Sequence, residues 1–408
     1  SNNDVYNLFN PTLNSGMTVT LTQPLLEGFG TGVNGRNLVL ARNNREISDI
    51  AFRHQVEATV TQIEEIYWDT VSARDMVQVA EQSLSMAKTI LQDDQRQLQI
   101  GTMIPLNVMQ QQSVVAGDEQ SLTAAQTNYE YQKLLLLNAT TKNMTDPVLL
   151  NADVEPTDEI AVSPNEAIQP IQDLVHEALQ HRPELAISRI NMANQRISLK
   201  AVQNALLPSL NLNASYGSNA LAGVAVPPQS LPPFFGGGTT KFVAGSSGFG
   251  SNMSSVIQGN YPTYAVGLTL KIPIRNRSAQ ADAIRAQLEM RQSEAQYQQS
   301  INEIVLEVRN AQFALQQDRA AVAAAQEAVS LNTQTLAADR KRVALGAGVI
   351  STVITDQTNL TQARQTLVAA MSNYQIARVQ LNQLIGRTLT SDRISIQDAE
   401  NGHVTQMP

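Results

Sequence analysis

The chain has no cysteine, which excludes disulfides, thiol nucleophiles and cysteine-ligated metal. Aromatic residues are 4 % of its 408 positions and Trp68 is the single tryptophan, so large rings cannot fill a thick oily core. Basic residues are outnumbered, giving a net charge of -8, and no Lys/Arg cluster stands out; that argues against a nucleic-acid partner. No run of 18 apolar residues occurs, so no transmembrane helix is predicted. The four histidines, His54, His176, His181 and His403, are scattered without ligand spacing. Glu64-Glu65 and Asp93-Asp94 are adjacent pairs on helical segments, and neighbours on a helix point about 100° apart, which separates their carboxylates. Gly236-Gly237-Gly238 lacks the Lys-Ser/Thr of a phosphate loop. No catalytic residue, cofactor site or metal site is expected, and the protein is not expected to be an enzyme.

What the chain does have is helical periodicity over very long stretches. From Asn276 to Gly386, apolar residues recur every three or four positions: Ile301, Ile304, Val308, Leu315 and Val322, then, beyond a Leu345-Gly346-Ala347-Gly348 break, Val353, Leu360, Leu367, Tyr374 and Leu381. The first arm holds about 68 residues without proline and would span roughly 100 Å, longer than a compact domain needs. A second helical pair covers 34–138, reversing at Ile100-Gly101-Thr102 with Pro105 in the first turn of the returning helix. A third helical stretch, 165–207, restarts near His181-Arg182-Pro183-Glu184. Segments 139–164 and 387–408 read as polar connections, with a short strand at Val148-Leu149-Leu150.

Three stretches alternate at period two: 15–24, 208–217 and 263–272. In the last, Tyr264, Val266, Leu268, Leu270 and Ile272 share one face while Thr263, Ala265, Gly267, Thr269 and Lys271 share the other. Between the second and third strands, 218–262 is rich in Gly, Pro and Ser and is read as one long loop without a packed core.

The chain repeats itself. Leu21-Thr22-Gln23-Pro24-Leu25 aligns with Leu270-Lys271-Ile272-Pro273-Ile274, while Gly101, Gln112 and Tyr129 align with Gly346, Gln357 and Tyr374 at one constant spacing. Each copy is strand, long helix, glycine turn and returning helix. The second copy is preceded by a helix and a strand, so the matching pair for the first copy is expected upstream of residue 1.

Strands of about 10 residues with one apolar and one small, polar face are long enough to cross a bilayer when tilted. So few strands cannot close a barrel, and open edges are not tolerated in lipid, so the barrel must be shared between subunits. The alternative is a soluble coiled-coil structural or adaptor protein, which shares the long helices and turns but has no use for lipid-facing alternation.

The chain resembles the TolC-like outer-membrane efflux duct family. The resemblance is carried by His181-Arg182-Pro183-Glu184-Leu185, Ala205-Leu206-Leu207-Pro208-Ser209-Leu210, the two glycine turns, the ending Leu381-Asn382-Gln383-Leu384-Ile385-Gly386, and the duplication. It implies a mainly α fold with a membrane β-barrel contribution. Long antiparallel hairpins would form a trimeric α-barrel tunnel through the periplasm, topped by a shared β-barrel in the outer membrane of a Gram-negative-type bacterium. Segment 218–262 would face outside the cell, and 139–164 with 387–408 would form an equatorial belt. The implied function is a passive exit duct of a tripartite efflux or type I secretion system. The implied partners are two further copies, outer-membrane lipid, a periplasmic adaptor protein and an inner-membrane pump.

By the same resemblance, Ile100, Gly101, Thr102, Leu345, Gly346, Ala347 and Gly348 would be the periplasmic tips that contact the adaptor and close the tunnel. Relatives often place an acidic ring just after the second tip. Here the matching positions are Thr352 and Thr355, with Asp356 one place off and Asn107 and Gln110 at the first tip. A polar, weakly charged gate is therefore expected.

Overall fold

A computed structural model describes residues 9–141, 143–144, 153–162, 169–225 and 248–401. In chain order these form β1 (Phe9–Pro24), α1 (Thr31–Asn34), α2 (Arg36–Gln99), α3 (Pro105–Thr140), α4 (Ile171–His181), α5 (Pro183–Asn204), β2 (Ser209–Ala225), α6 (Phe249–Gln258), β3 (Pro262–Lys271), α7 (Arg277–Ala344), α8 (Ile350–Leu384), α9 (Thr388–Ser391) and α10 (Ile396–Asn401). The proposed strand at Val148-Leu149-Leu150 lies outside the described residues. They divide into two units, Ser1–Asn44 with Asn191–Glu294 and Arg45–Ile190 with Ala295–Pro408, so α2, α5 and α7 contribute to both.

The first unit contains an antiparallel sheet in the order β1-β2-β3. Its register places Leu21 opposite Ala214 opposite Val266, and Val19 opposite Tyr216 opposite Tyr264. Directly opposed residues share a face. One face therefore carries Met17, Val19, Leu21, Leu212, Tyr216, Tyr264, Val266, Leu268 and Leu270, all exposed. The other carries a polar ladder. The Thr22 hydroxyl donates to Asn213 Oδ1 at 3.1 Å, and Asn213 Nδ2 donates to Thr269 Oγ1 at 3.0 Å. Proline punctuates the sheet where a missing donor is tolerated: Pro24 closes β1 and Pro262 opens β3, the two edge strands of the described sheet.

Two expectations change here. β1 begins at Phe9 and β2 runs to Ala225, so the ribbon extends well past Gly217. The segment 218–262 is also not loop throughout. Small residues (Ser218, Ala220, Ala222) continue the β2 alternation and leave room for α6, which buries Asn252 and Val256. Glycine and serine abundance signals a loop, yet small side chains equally permit close helix-on-sheet packing.

The second unit is helical. α3 returns along α2, as shown by Gln111 Nε2 donating to the Ala87 carbonyl at 3.2 Å and Ser83 Oγ to Asp118 Oδ2 at 3.1 Å. α8 also lies against α2, through Ser83 with Thr361 at 2.8 Å and Gln380 with Glu65 at 2.8 Å. The apolar stripes read from sequence meet in two cores. One joins Ile304, Val308, Leu315 and Val322 of α7 to Leu174, Ala178, Leu185, Tyr374, Leu381 and Ile385; the other joins Ile90, Leu336, Val353 and Leu360. Truncating a fully buried member such as Leu185 to alanine is expected to cost about 2–5 kcal/mol.

The restart near Arg182 is a true break. Pro183 occupies the first position of α5, and the residue before a proline disfavours helical backbone; Arg182 is extended, with ψ 126°. Residues 153–162, part of the expected belt, run without helix or strand along α2: Arg74 donates to the carbonyls of Pro156 (2.8 Å) and Asp158 (2.9 Å), and the Tyr67 hydroxyl to Asp158 Oδ2 at 2.5 Å. Among the described residues no helix is long and apolar enough to cross a membrane.

Candidate functional site

Both tips have the same backbone geometry. After α2, Gly101 N–H donates to Leu98 O at 3.0 Å and Thr102 N–H to Gln97 O at 2.9 Å. After α7, Gly346 N–H donates to Val343 O and Ala347 N–H to Arg342 O, both at 2.9 Å. These paired bonds are the Schellman cap, which satisfies the helix's last carbonyls and requires a left-handed residue. Gly101 has φ 79° and Gly346 φ 75°, a conformation that costs a residue with a Cβ about 1–2 kcal/mol. Gly348 serves differently. A Cβ there would lie 2.8 Å from both the Val343 backbone nitrogen and its Cγ2, so only hydrogen fits. Around the turns Ile100, Ile104, Leu106, Met109, Leu345 and Val349 are all exposed.

Beside the turns, α2, α3, α7 and α8 line a cavity of about 120 Å³ that includes Asp93, Asp94, Gln97, Gln111, Arg340, Val343 and Val353. Asp94 is only 6 % exposed. Its burial, reinforced by the neighbouring Asp93 and only partly offset by Arg340, pushes its carboxyl up to about 6. Arg340 lies 3.8 Å from Asp93.

The expected gate residues are spread over two helices. Thr352 and Thr355 are exposed on α8, and their hydroxyls donate back to the carbonyls of Val349 (2.6 Å) and Ser351 (2.9 Å). Asp356 is half-buried, and burial raises its pKa, helped by Asp339 of α7 facing it. Asn107 is half-buried and Gln110 exposed on α3. Among the described residues no group of three or more His, Asp or Glu side chains is placed to hold a metal ion.

A polar joint not anticipated from sequence lies at the α4–α5 break. Arg182 forks Glu184 at 3.2 and 2.8 Å and also pairs with Glu307 of α7. Burial alone would raise the Glu184 carboxyl, but the guanidinium fork outweighs it and holds the group below its usual value. At the end of α8, a third Schellman cap places Gly386 (φ 75°) so close to His181 that a Cβ would be 2.9 Å from the His181 Cβ. The next residue, Arg387, pairs with Glu177 of α4 and donates to Gln169 Oε1 at 3.3 Å. The His-Arg-Pro-Glu-Leu run was visible as a motif. Its partners Glu307 and Gly386 are more than a hundred residues away, and no local pattern announces them.

The chain as a whole is similar to known proteins. The chain is 21 % identical to the outer membrane protein TolC of Escherichia coli (strain K12) over 378 residues, covering 91 % of this chain and 70 % of TolC. It is 23 % identical over 325 residues to the pyoverdine export outer membrane protein OpmQ of Pseudomonas putida, covering 79 % of this chain and 58 % of OpmQ. Its fold matches the Campylobacter jejuni CmeC outer membrane channel with a TM-score of 0.65 at 14 % identity, over 97 % of this chain and 82 % of that one. The family described as outer membrane efflux protein matches residues 1–140 and 174–387. With that match spanning most of the duplicated hairpins and all three strands, the chain belongs to the outer membrane efflux protein family, whose members are channels of the outer membrane and not enzymes.

Proposed function

We propose that three copies of this chain form a passive exit duct, each giving strands to one shared β-barrel and helices to one periplasmic tunnel. The observation that carries this reading is the two-faced sheet. An exposed apolar band, Met17, Val19 and Leu21 with Leu212, Tyr216 and Tyr264 to Leu270, backs onto a hydrogen-bonded polar ladder, and both edge strands of the described sheet are open to further pairing. In lipid such edges must be closed, and three identical chains close them by symmetry. A soluble coiled-coil adaptor gives no reason for the exposed band.

The tips at Ile100, Gly101, Thr102, Leu345, Gly346, Ala347 and Gly348 are proposed to receive a periplasmic adaptor, through which an inner-membrane pump delivers its cargo. Their support is the exposed apolar rim around two rigidly capped turns. The gate is proposed to be polar and weakly charged, with Thr352 and Thr355 exposed and Asp356 turned toward Asp339 rather than fully open to water. OpmQ is a pyoverdine export protein by name. For this chain we propose a conduit whose cargo is selected by the pump that feeds it. The test is fractionation of the full-length protein, then detergent extraction and mass measurement. A species of three chain masses in the outer-membrane fraction is expected; a monomer soluble without detergent overturns the reading.

A further inference from the structure

α6 lies on the same face of the sheet as the apolar band. Asn252 Nδ2 donates to the Leu13 carbonyl at 3.2 Å and to Ser15 Oγ at 3.0 Å, and Ser15 alternates in phase with Met17, Val19 and Leu21. At the helix's other end Gly259 takes a left-handed cap (φ 67°), where a Cβ would sit 2.8 Å from the Tyr216 hydroxyl. The helix thus occupies the stretch of this face where the exposed band gives way to buried Ser218, Ala220 and Ala222, next to the paired rings of Tyr216 and Tyr264 (centroids 5.3 Å apart).

Going round α6 at 100° per residue separates three kinds of surface. Asn252 and Val256 face the sheet and are buried. One flank carries Phe249, Met253 and Ile257, at 68, 45 and 75 % exposure. The opposite flank carries Ser251 and Ser255, and the outward side Gly250, Ser254 and Gln258. The helix has no charged residue. A ten-residue helix with one bare apolar flank and one hydroxyl flank is poorly suited to bulk water or to the bilayer centre; that amphipathic split suits the boundary between them. Tyrosines gather at the same level, as they do where barrels leave the membrane.

We infer that α6 is an interfacial helix of the duct, with Phe249, Met253 and Ile257 inserted among the lipid chains at the bilayer boundary and the serine flank turned to water. The occupant is bilayer lipid, because the flank continues an apolar band that, on the proposed reading, already faces lipid. Such a helix would fix how deep the barrel rides in the membrane.

The test uses full-length protein carrying Trp68→Phe, reconstituted in phosphatidylcholine vesicles brominated either near the headgroup or deep in the chains. Single reporters are introduced as Phe249→Trp, Ile257→Trp, Ser254→Trp and, for the band itself, Val266→Trp. Phe249→Trp and Ile257→Trp are expected to be quenched about twofold or more better by shallow than by deep bromines. Ser254→Trp should be reached by aqueous acrylamide instead, and Val266→Trp by the deep bromines. If Val266→Trp is quenched by lipid but the two flank reporters are not, the interfacial helix is refuted while the barrel reading survives. Flank reporters shielded from both lipid and acrylamide refute it in the same way and indicate coverage by a neighbouring protomer. If Val266→Trp itself escapes lipid quenching, the underlying barrel reading fails.

Discussion

A single arginine moved by one residue along β3 separates the two faces of the sheet. Val266 lies in the middle row of the apolar band, opposite Ala214 and in line with Leu21, and is 78 % exposed. Its neighbour Gly267 points to the polar side, with nothing within 4 Å of where a Cβ would stand. If the band meets lipid, Val266→Arg places a guanidinium near the bilayer midplane and costs about 2–4 kcal/mol. Gly267→Arg places the same group in a wet lumen and costs a few tenths of a kcal/mol at most, about the scale of an ordinary surface change. The difference is about 30- to 1,000-fold in the folding equilibrium. Depth supplies an internal control. Leu270 is four residues along the same face, about 13 Å away, where an arginine near the boundary costs about 0–1 kcal/mol. The assay is reversible urea unfolding of the full-length protein in vesicles, with the amount recovered in the outer-membrane fraction as a second reading. A face covered by protein would give no gradient between Val266 and Leu270. Equal penalties at those two positions, or a larger one at Gly267, would refute the assignment of the faces.

The tips, the joint and the acidic cluster give further tests. Gly346→Ala is expected to cost about 1–2 kcal/mol from left-handed strain alone, while Gly348→Ala costs about 1–3 kcal/mol from collision with Val343 backbone that cannot swing away. Gly346→Asn, which tolerates positive φ, should recover part of the first loss in thermal melts, whereas no rotamer rescues the second. Arg182→Ala should destabilise the helical unit by about 1–2 kcal/mol, discounted because Glu184 and Glu307 are partly solvated, and Arg182→Lys should restore less than half, lacking the fork; full rescue by lysine would contradict the bidentate reading. Asp94 has a folded pKa of about 6 against an ordinary 3.8, so the neutral form is favoured on folding. Its contribution is present below about pH 4 and is lost as pH rises through 6. Asp94→Asn should therefore match the parent in urea midpoint near pH 4 and exceed it by about 1–2 kcal/mol near pH 8, after allowing for water near the cluster; a constant difference across that range would count against the assignment. Asp356→Ala is expected to leave divalent-cation block of single-channel conductance unchanged, and a marked relief of block would return an acidic ring to the gate.

Much of this protein was legible without coordinates because its elements are long and its patterns repeat. Periodicity over about 68 residues averages out local exceptions, so the stripe through Ile304, Val308, Leu315 and Val322 appeared before its partners were known. Glycines at Gly101 and Gly346 marked the reversals because only a residue free to adopt positive φ closes that cap without strain. Strand alternation likewise gave the two faces of β3, since a pleat has no other way to distribute side chains.

Tertiary structure decided what depends on partners distant in the chain. That Pro24, Asn211 and Thr269 stand opposite one another in the sheet, that Arg182 meets Glu307, and that Gly386 makes way for His181 all follow from packing between segments far apart in the chain. α6 has no sequence signature of its own for a related reason. Its ten residues are too few for periodicity to speak, and its serines and glycine read as loop until the Ser218–Ala222 shelf beneath it supplied the packing that makes it a helix. Local propensity and period belong to the sequence. Which faces stay bare, and which small residues are shelves rather than hinges, is settled only when the chain has folded back on itself.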